Sequence, residues 1–162
     1  NMSRIFKLST QFLLVLLFCG AMFGQETTGD IEGTVKDAAG AVVPGVVLIA
    51  PGDRHLLLQR QGARYYVSLK NGAAVHFHRP SVDVMFQSVA RNAGKNATGV
   101  LLTGMGSDGA SGLLTMKQSG ARTIAQDEAT SVVFGMPGEA VKLGAANEIL
   151  PLPEIANAVL SS

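Results

Sequence analysis

The sequence predicts an α/β domain in three layers, with a mostly parallel sheet between helices and an added β-hairpin. Three observations carry this prediction. From Thr98 onward, short apolar runs alternate with segments of helical periodicity, the pattern of a parallel sheet with crossover helices. The run Thr98 to Thr103 (TGVLLT) is apolar on both faces, as a strand covered from both sides must be. Glycines punctuate nearly every junction, and the chain holds 19 of them and no tryptophan. With 162 residues, 47% hydrophobic and 15% charged, the chain can build one core and is not disordered throughout. A net charge of +1 gives no electrostatic pull toward nucleic acid. Three histidines and one cysteine build no usual zinc site unless carboxylates join them. Cys19 has no partner for a disulfide.

Residues 1–24 read as a signal-peptide-like segment, with Met2 as the natural start. Arg4 and Lys7 precede the uncharged run Phe12 to Cys19, and small residues follow. That is the order of an export signal, and the run is too short to cross a bilayer. Residues 25–46 read as a fragment of β-sandwich. Ile31, Gly33 and Val35 alternate with polar residues, and turns follow at Asp37 to Gly40 and at Pro44-Gly45. The stretch resembles the opening hairpin of carboxypeptidase-regulatory-like domains, such as those of TonB-dependent outer-membrane proteins.

Residues 47–162 form the α/β unit. Val46 to Ala50 reads as a strand ended by Pro51-Gly52. Leu56 to Arg60 and Arg64 to Leu69 read as a hairpin around Gln61-Gly62. Pro80 to Ala93 is a helix: Val82, Met85, Phe86, Val89, Ala90 and Ala93 recur at helical spacing, with Pro80 in the first turn and Gly94 past the end. Thr98 to Thr103 is the central strand. Gly109 to Ser119 is a helix stopped by Gly120, and Ala121 to Gln126 a strand. Pro137 to Leu143 is a short helix, Ile149-Leu150 a strand, and Pro153 to Leu160 the last helix.

The turn Gly104-Met105-Gly106-Ser107-Asp108-Gly109 falls where such folds carry ligands and chemistry, at the carboxyl end of a strand. Its residues admit several chemistries. As G-x-G-x-x-G, with Asp127 some twenty residues on, it matches a dinucleotide fingerprint in outline, but the charge of Asp108 opposes phosphate. Ser107 as a nucleophile lacks the leading glycine of an elbow, since Met105 stands there. Asp108 as the acid of a Ser-His-Asp triad would hold a histidine's tautomer. Asp108 as a helix N-cap would steady the helix by about 1 kcal/mol.

From Ile49 onward the strings IAPGDRHL, HRPSVDVMFQSVA (His78 to Ala90), GVLLTGMGSDGASGLL (Gly99 to Leu114) and GARTIAQDEATSVVFGMPGEA (Gly120 to Ala140) resemble the catalytic domain of chemotaxis protein-glutamate methylesterases, the CheB family. They cover roughly two thirds of the chain. The resemblance implies hydrolysis of glutamate methyl esters on chemoreceptors, with glutamine deamidation, in the cytoplasm and without metal or organic cofactor. It implies that Asp108 is the triad aspartate and that the Met105 amide helps hold the oxyanion, with Gly104 and Gly106 shaping the turn. The family's serine lies in a Gly-Ala-Ser-Thr-Gly-Gly turn and its histidine in a Gln-His-Met-Pro context. Neither string occurs here, and His55, His76 and His78 read as structural or surface histidines. The expectations are therefore a crippled esterase or a non-catalytic partner-binding remnant, in a chimeric or mis-joined chain whose sheet is truncated on its N-terminal side. In that case the stretch Thr28 to Asp37 is expected to cover part of the open sheet edge.

Overall fold

The computed structural model describes residues 34–36 and 47–161. The signal-like segment and most of the sandwich-like stretch lie outside the described residues. The described chain is an α/β unit with two three-stranded sheets and four α-helices.

The first sheet is antiparallel. Strands β2 (His55–Gln61) and β3 (Arg64–Lys70) pair in register from His55↔Lys70 to Gln61↔Arg64. Only two residues join them, and Gly62 takes φ +61, a conformation that carries no steric penalty for glycine. Strand β1 (Thr34–Lys36) pairs antiparallel with the other edge of β3. The described part of the Thr28 to Asp37 stretch thus extends the hairpin rather than covering the parallel sheet.

Helix α1 (Val82–Asn92) lies against this sheet. Its Ser88 hydroxyl accepts from the Leu58 amide at 2.8 Å, and Asn92 Nδ2 donates to the Leu58 carbonyl at 2.9 Å. The expected apolar face is the one used. Phe86 and Ala90 are buried, and Val82, Met85 and Val89 pack against the same cluster. Its start differs from expectation: Ser81 is the N-cap, so Pro80 precedes the cap instead of sitting in the first turn.

The second sheet is parallel, in the order β4 (Thr98–Leu101), β5 (Arg122–Gln126), β6 (Glu148–Leu150). Helices α2 (Ala110–Gln118), α3 (Met136–Lys142) and α4 (Leu152–Leu160) follow the strands in turn. The core joins Phe86 and Ala90 to Leu101, Ala110, Leu113, Met116, Ala121, Ala140 and Ala145. The central strand is β5, not β4. Thr123 to Gln126 are all buried, whereas β4 is an edge strand among the described residues and Leu102 beyond it is exposed. An apolar run alone cannot say which of two parallel strands is flanked on both sides.

Val47–Ala50 is likewise not a strand. Val47 and Ile49 are 84% and 80% exposed, because no described strand lies beside them to complete the hydrogen bonding that defines one. Among the described residues no helix is long and apolar enough to cross a membrane.

Candidate active site at the carboxyl ends of the parallel strands

The turn from β4 to α2 is fixed at both ends. At its start, the Thr103 amide donates to Gln126 Oε1 at 2.8 Å. Gln126 is fully buried at the end of the central strand, and its Nε2 donates to the Thr130 carbonyl at 2.8 Å. The loop between β5 and α3 then clamps the turn. The Thr103 hydroxyl accepts from the Val133 amide, the Gly104 amide donates to the Val133 carbonyl, and the Met136 amide donates to the Gly104 carbonyl at 2.8 Å. A Cβ at Gly104 would stand 2.5 Å from Met136 Sδ, so a side chain there requires the methionine to shift. At its end, Gly109 takes φ +91 and a Cβ would stand 2.7 Å from Val82 Cγ1, so the start of α2 packs directly on the start of α1.

Asp108 is 5% exposed. It does not cap its own helix, as the simplest reading of its position suggests; Gly109 is the N-cap of α2. Its carboxylate turns to the start of α1. Oδ1 accepts from the Ser81 hydroxyl at 2.8 Å and the Asp83 amide at 3.0 Å, and Oδ2 accepts from the Val82 amide at 2.8 Å. These are the orphan donors of a helix N-terminus, where the helix dipole favours a negative charge.

Asp83 returns the arrangement. It is buried in the first turn of α1, and its Oδ1 accepts from the Gly112 amide at 2.6 Å, within the first turn of α2. Each helix start is thus capped by a carboxylate from the other. Gly112 permits this approach, since a Cβ there would meet Phe86 Cβ at 2.7 Å and Asp83 Oδ1 at 3.0 Å. The second oxygen of Asp83 lies 2.9 Å from His76 Nε2. The histidine held by a carboxylate in this structure is therefore His76, on Asp83 rather than on Asp108. His55 is buried, with Nδ1 accepting from the Ser81 amide at 3.2 Å and Nε2 facing the Ala73 carbonyl at 3.0 Å. Both ring nitrogens are used, so His55 is a structural histidine that braces the cap residue. His78 is exposed, and its backbone forms a bridge with Val75.

His76, Asp83 and Asp108 bring ligand-type atoms within 4.8 Å of one another. Two helix N-termini point their amides into this cluster, and their positive potential opposes a cation. The arrangement suits anionic carboxylates held by amides better than a metal.

The rival chemistries of the turn fare unequally. A pyrophosphate on the fingerprint would need the free amides at the start of α2, but the Gly112 amide is taken by Asp83. Asp127 Oδ1 accepts from the Thr130 amide at 3.0 Å, so it closes a local turn. Ser107 is exposed and has no hydrogen bond to a histidine among the described residues. The backbone amide of Met105 makes no hydrogen bond within the described chain. Ser81, Asp83 and Gln126 were not singled out by their sequence pattern. Ser81 after Pro80 carries a helix-cap signal; the crossed pairing of Asp83 with α2 has no local signal at all.

Comparison with known proteins agrees with this fold. Residues 26–159 match the family model described as CheB methylesterase, so the match begins upstream of Ile49 and takes in most of the sandwich-like stretch. A protein-glutamate methylesterase/protein-glutamine glutaminase of Anaeromyxobacter dehalogenans is 62% identical over 137 residues, 83% of this chain and 38% of that protein. A similarly named protein of Rhizobium johnstonii is 59% identical over 142 residues, 86% of this chain and 39% of that protein. The chain thus spans about two fifths of the length of these curated relatives. The solved CheB methylesterase catalytic domain of Thermotoga maritima superposes with a TM-score of 0.66 at 35% identity, covering 68% of this chain and 59% of that domain. With the parallel sheet, the clamped turn and these matches together, the chain belongs to the CheB methylesterase family.

Proposed function

We propose that this unit carries the aspartate and oxyanion side of a protein-glutamate methylesterase site. The observation that supports it is the placement of Asp108: a buried carboxylate, held by three donors, at the carboxyl edge of the parallel sheet. Oδ2 has a single donor and retains capacity for an imidazole N–H. In that role Asp108 fixes a histidine's tautomer and stabilises its charged form during acyl transfer. The Met105 amide donates to the oxyanion that develops on the ester carbonyl, and Gly104 and Gly106 keep the backbone there open. No metal or organic cofactor enters this chemistry. The substrate class, glutamate methyl esters and glutamines of chemoreceptors, is proposed from the names of the relatives.

The strings that carry the family's serine and histidine do not occur in these 162 residues, and His76 is committed to Asp83. The chain by itself is therefore a crippled esterase. Its test is methanol release from a methylated receptor segment by purified residues 1–162. No release above the uncatalysed rate is expected; turnover that disappears in Asp108→Ala would refute the crippled state. A second reading, a non-catalytic receptor-binding remnant, is favoured by the intact clamped turn and predicts binding without turnover. A cytoplasmic location, alongside the receptor substrates, is proposed from the family resemblance. The run Phe12 to Cys19 instead supports export of the chain as a chimera, and fractionation of cells expressing it separates the two.

A further inference from the structure

Asparagine is a thermolabile residue, and most so before glycine, which has no Cβ to shield its backbone nitrogen. The chain has this pair once, at Asn71-Gly72. The pair follows Lys70, the last residue of β3, and opens the loop that leads to α1. Both residues are exposed. The Asn71 side chain and the Gly72 amide make no hydrogen bond among the described residues. The other described asparagines are held. Asn92 Nδ2 donates to two carbonyls, Asn96 Nδ2 to the Tyr65 hydroxyl, and Asn147 Oδ1 accepts from Thr123. The amides that follow Asn92 and Asn96 are bonded as well, and Asn157 lies within α4. Packing favours the glycine at 72, since a Cβ there would stand 3.2 Å from His55 Cδ2. The charges around it favour an anion. No acidic side chain occurs from Arg54 to Val82. The ionisable groups beside Gly72 are Lys70 on β3, His55 on β2 and Arg79. The Arg79 Nη1 donates to the Gly72 carbonyl at 2.6 Å, and its guanidinium also pairs with Asp53.

We propose that Asn71 is a site of self-modification, which loses ammonia through a succinimide and becomes aspartate or isoaspartate, and that the isoaspartate form loosens the start of α1. The Gly72 nitrogen gives its proton to hydroxide and attacks Cγ of Asn71. Neighbouring cations stabilise that nitrogen anion. The new N–Cγ bond closes the ring, the Cγ–Nδ2 bond breaks, and ammonia leaves with a proton taken from water. Water then opens the ring at one of its two carbonyls. Breaking the bond to Cγ gives aspartate with the main chain unchanged. Breaking the bond to the main-chain carbonyl gives isoaspartate, whose chain is one methylene longer. That methylene enters beside the carbonyls of Gly72 and Ala73, which accept from Arg79 and face His55 Nε2. His55 Nδ1 in turn accepts from the amide of Ser81, the N-cap of α1. The added length therefore reaches the helix start, whereas the added charge alone does not.

The test incubates the whole chain at mildly alkaline pH beside Asn71→Gln and maps the peptides by mass spectrometry. A gain of one mass unit is expected at residue 71, as a mixture of aspartate and isoaspartate, with Asn92, Asn96, Asn147 and Asn157 intact. No gain is expected at this position in Asn71→Gln. The isoaspartate form, separated chromatographically, is expected to melt roughly 2–6 °C below the unmodified chain, and Asn71→Asp to melt with the unmodified chain. Survival of Asn71 to the same extent as Asn92 overturns the modification. An isoaspartate form that melts with the unmodified chain, or Asn71→Asp that melts as low as the isoaspartate form, overturns the coupling to the helix start.

Discussion

Asp108 shows how one buried carboxylate holds the start of a helix to which it does not belong. Its carboxylate satisfies the Ser81 hydroxyl and two helix amides in a buried place, so its removal strands several donors. Asp108→Ala is expected to destabilise the domain by about 2–4 kcal/mol, measured by urea unfolding. Asp108→Asn, which keeps one acceptor oxygen, should cost less. A second carboxylate governs acid sensitivity away from the site. Arg122 donates to both oxygens of Glu148, at 2.6 and 3.0 Å, and also to the Ala158 carbonyl, linking β5, β6 and α4. The hydrogen bond from Arg122 holds the Glu148 carboxyl below its ordinary value of 4.5. A depressed folded-state value means that the unfolded chain binds the proton first as pH falls. The contribution is therefore fully present above the ordinary value and is lost as pH drops through the folded one. Acid unfolding of Glu148→Gln should lack this component, and its melting temperature should depend less on pH below that point.

At the scale of elements, the starts of α1 and α2 form one unit through the crossed Asp83 and Asp108 caps. Gly112 is the residue that allows their approach. Alanine is ordinarily the better helix former by about 1 kcal/mol, yet a Cβ at this position stands 2.7 Å from Phe86 Cβ. Gly112→Ala is therefore expected to destabilise by about 1–3 kcal/mol, the opposite sign to helix propensity; a stabilised variant in thermal melts would contradict the packing. The periodic elements were legible in the sequence. The apolar stripe from Val82 to Ala90 marked α1 and its buried face, and Gly62 marked the hairpin turn to within one residue. What escaped was set by neighbours. Val46 to Ala50 has the composition of a strand but no described partner, and Thr98 to Leu101 has the composition of a central strand but lies at an edge. The turn at Asp108 was legible as a glycine-rich connection at the carboxyl end of a strand, while the partners of its carboxylate, Ser81, Val82 and Asp83, lie some twenty-five residues away and carry no local signal of the pairing.

At the scale of the whole molecule, the family match runs over residues 26–159, and the solved relative covers more than this chain does. The fold places Asp108 and the Gly104 to Gly109 turn at the carboxyl edge of the parallel sheet. We propose this edge as one side of a methylesterase site, with Asp108 as its acid. The direct measurement replaces the segment before Ile49 with the corresponding portion of the Anaeromyxobacter dehalogenans relative and follows methanol release from a methylated receptor. Turnover by the fusion is expected, with a loss of about 10³–10⁴-fold in Asp108→Asn and the fold retained by circular dichroism. A fusion that stays within tenfold of full activity after Asp108→Asn would contradict it.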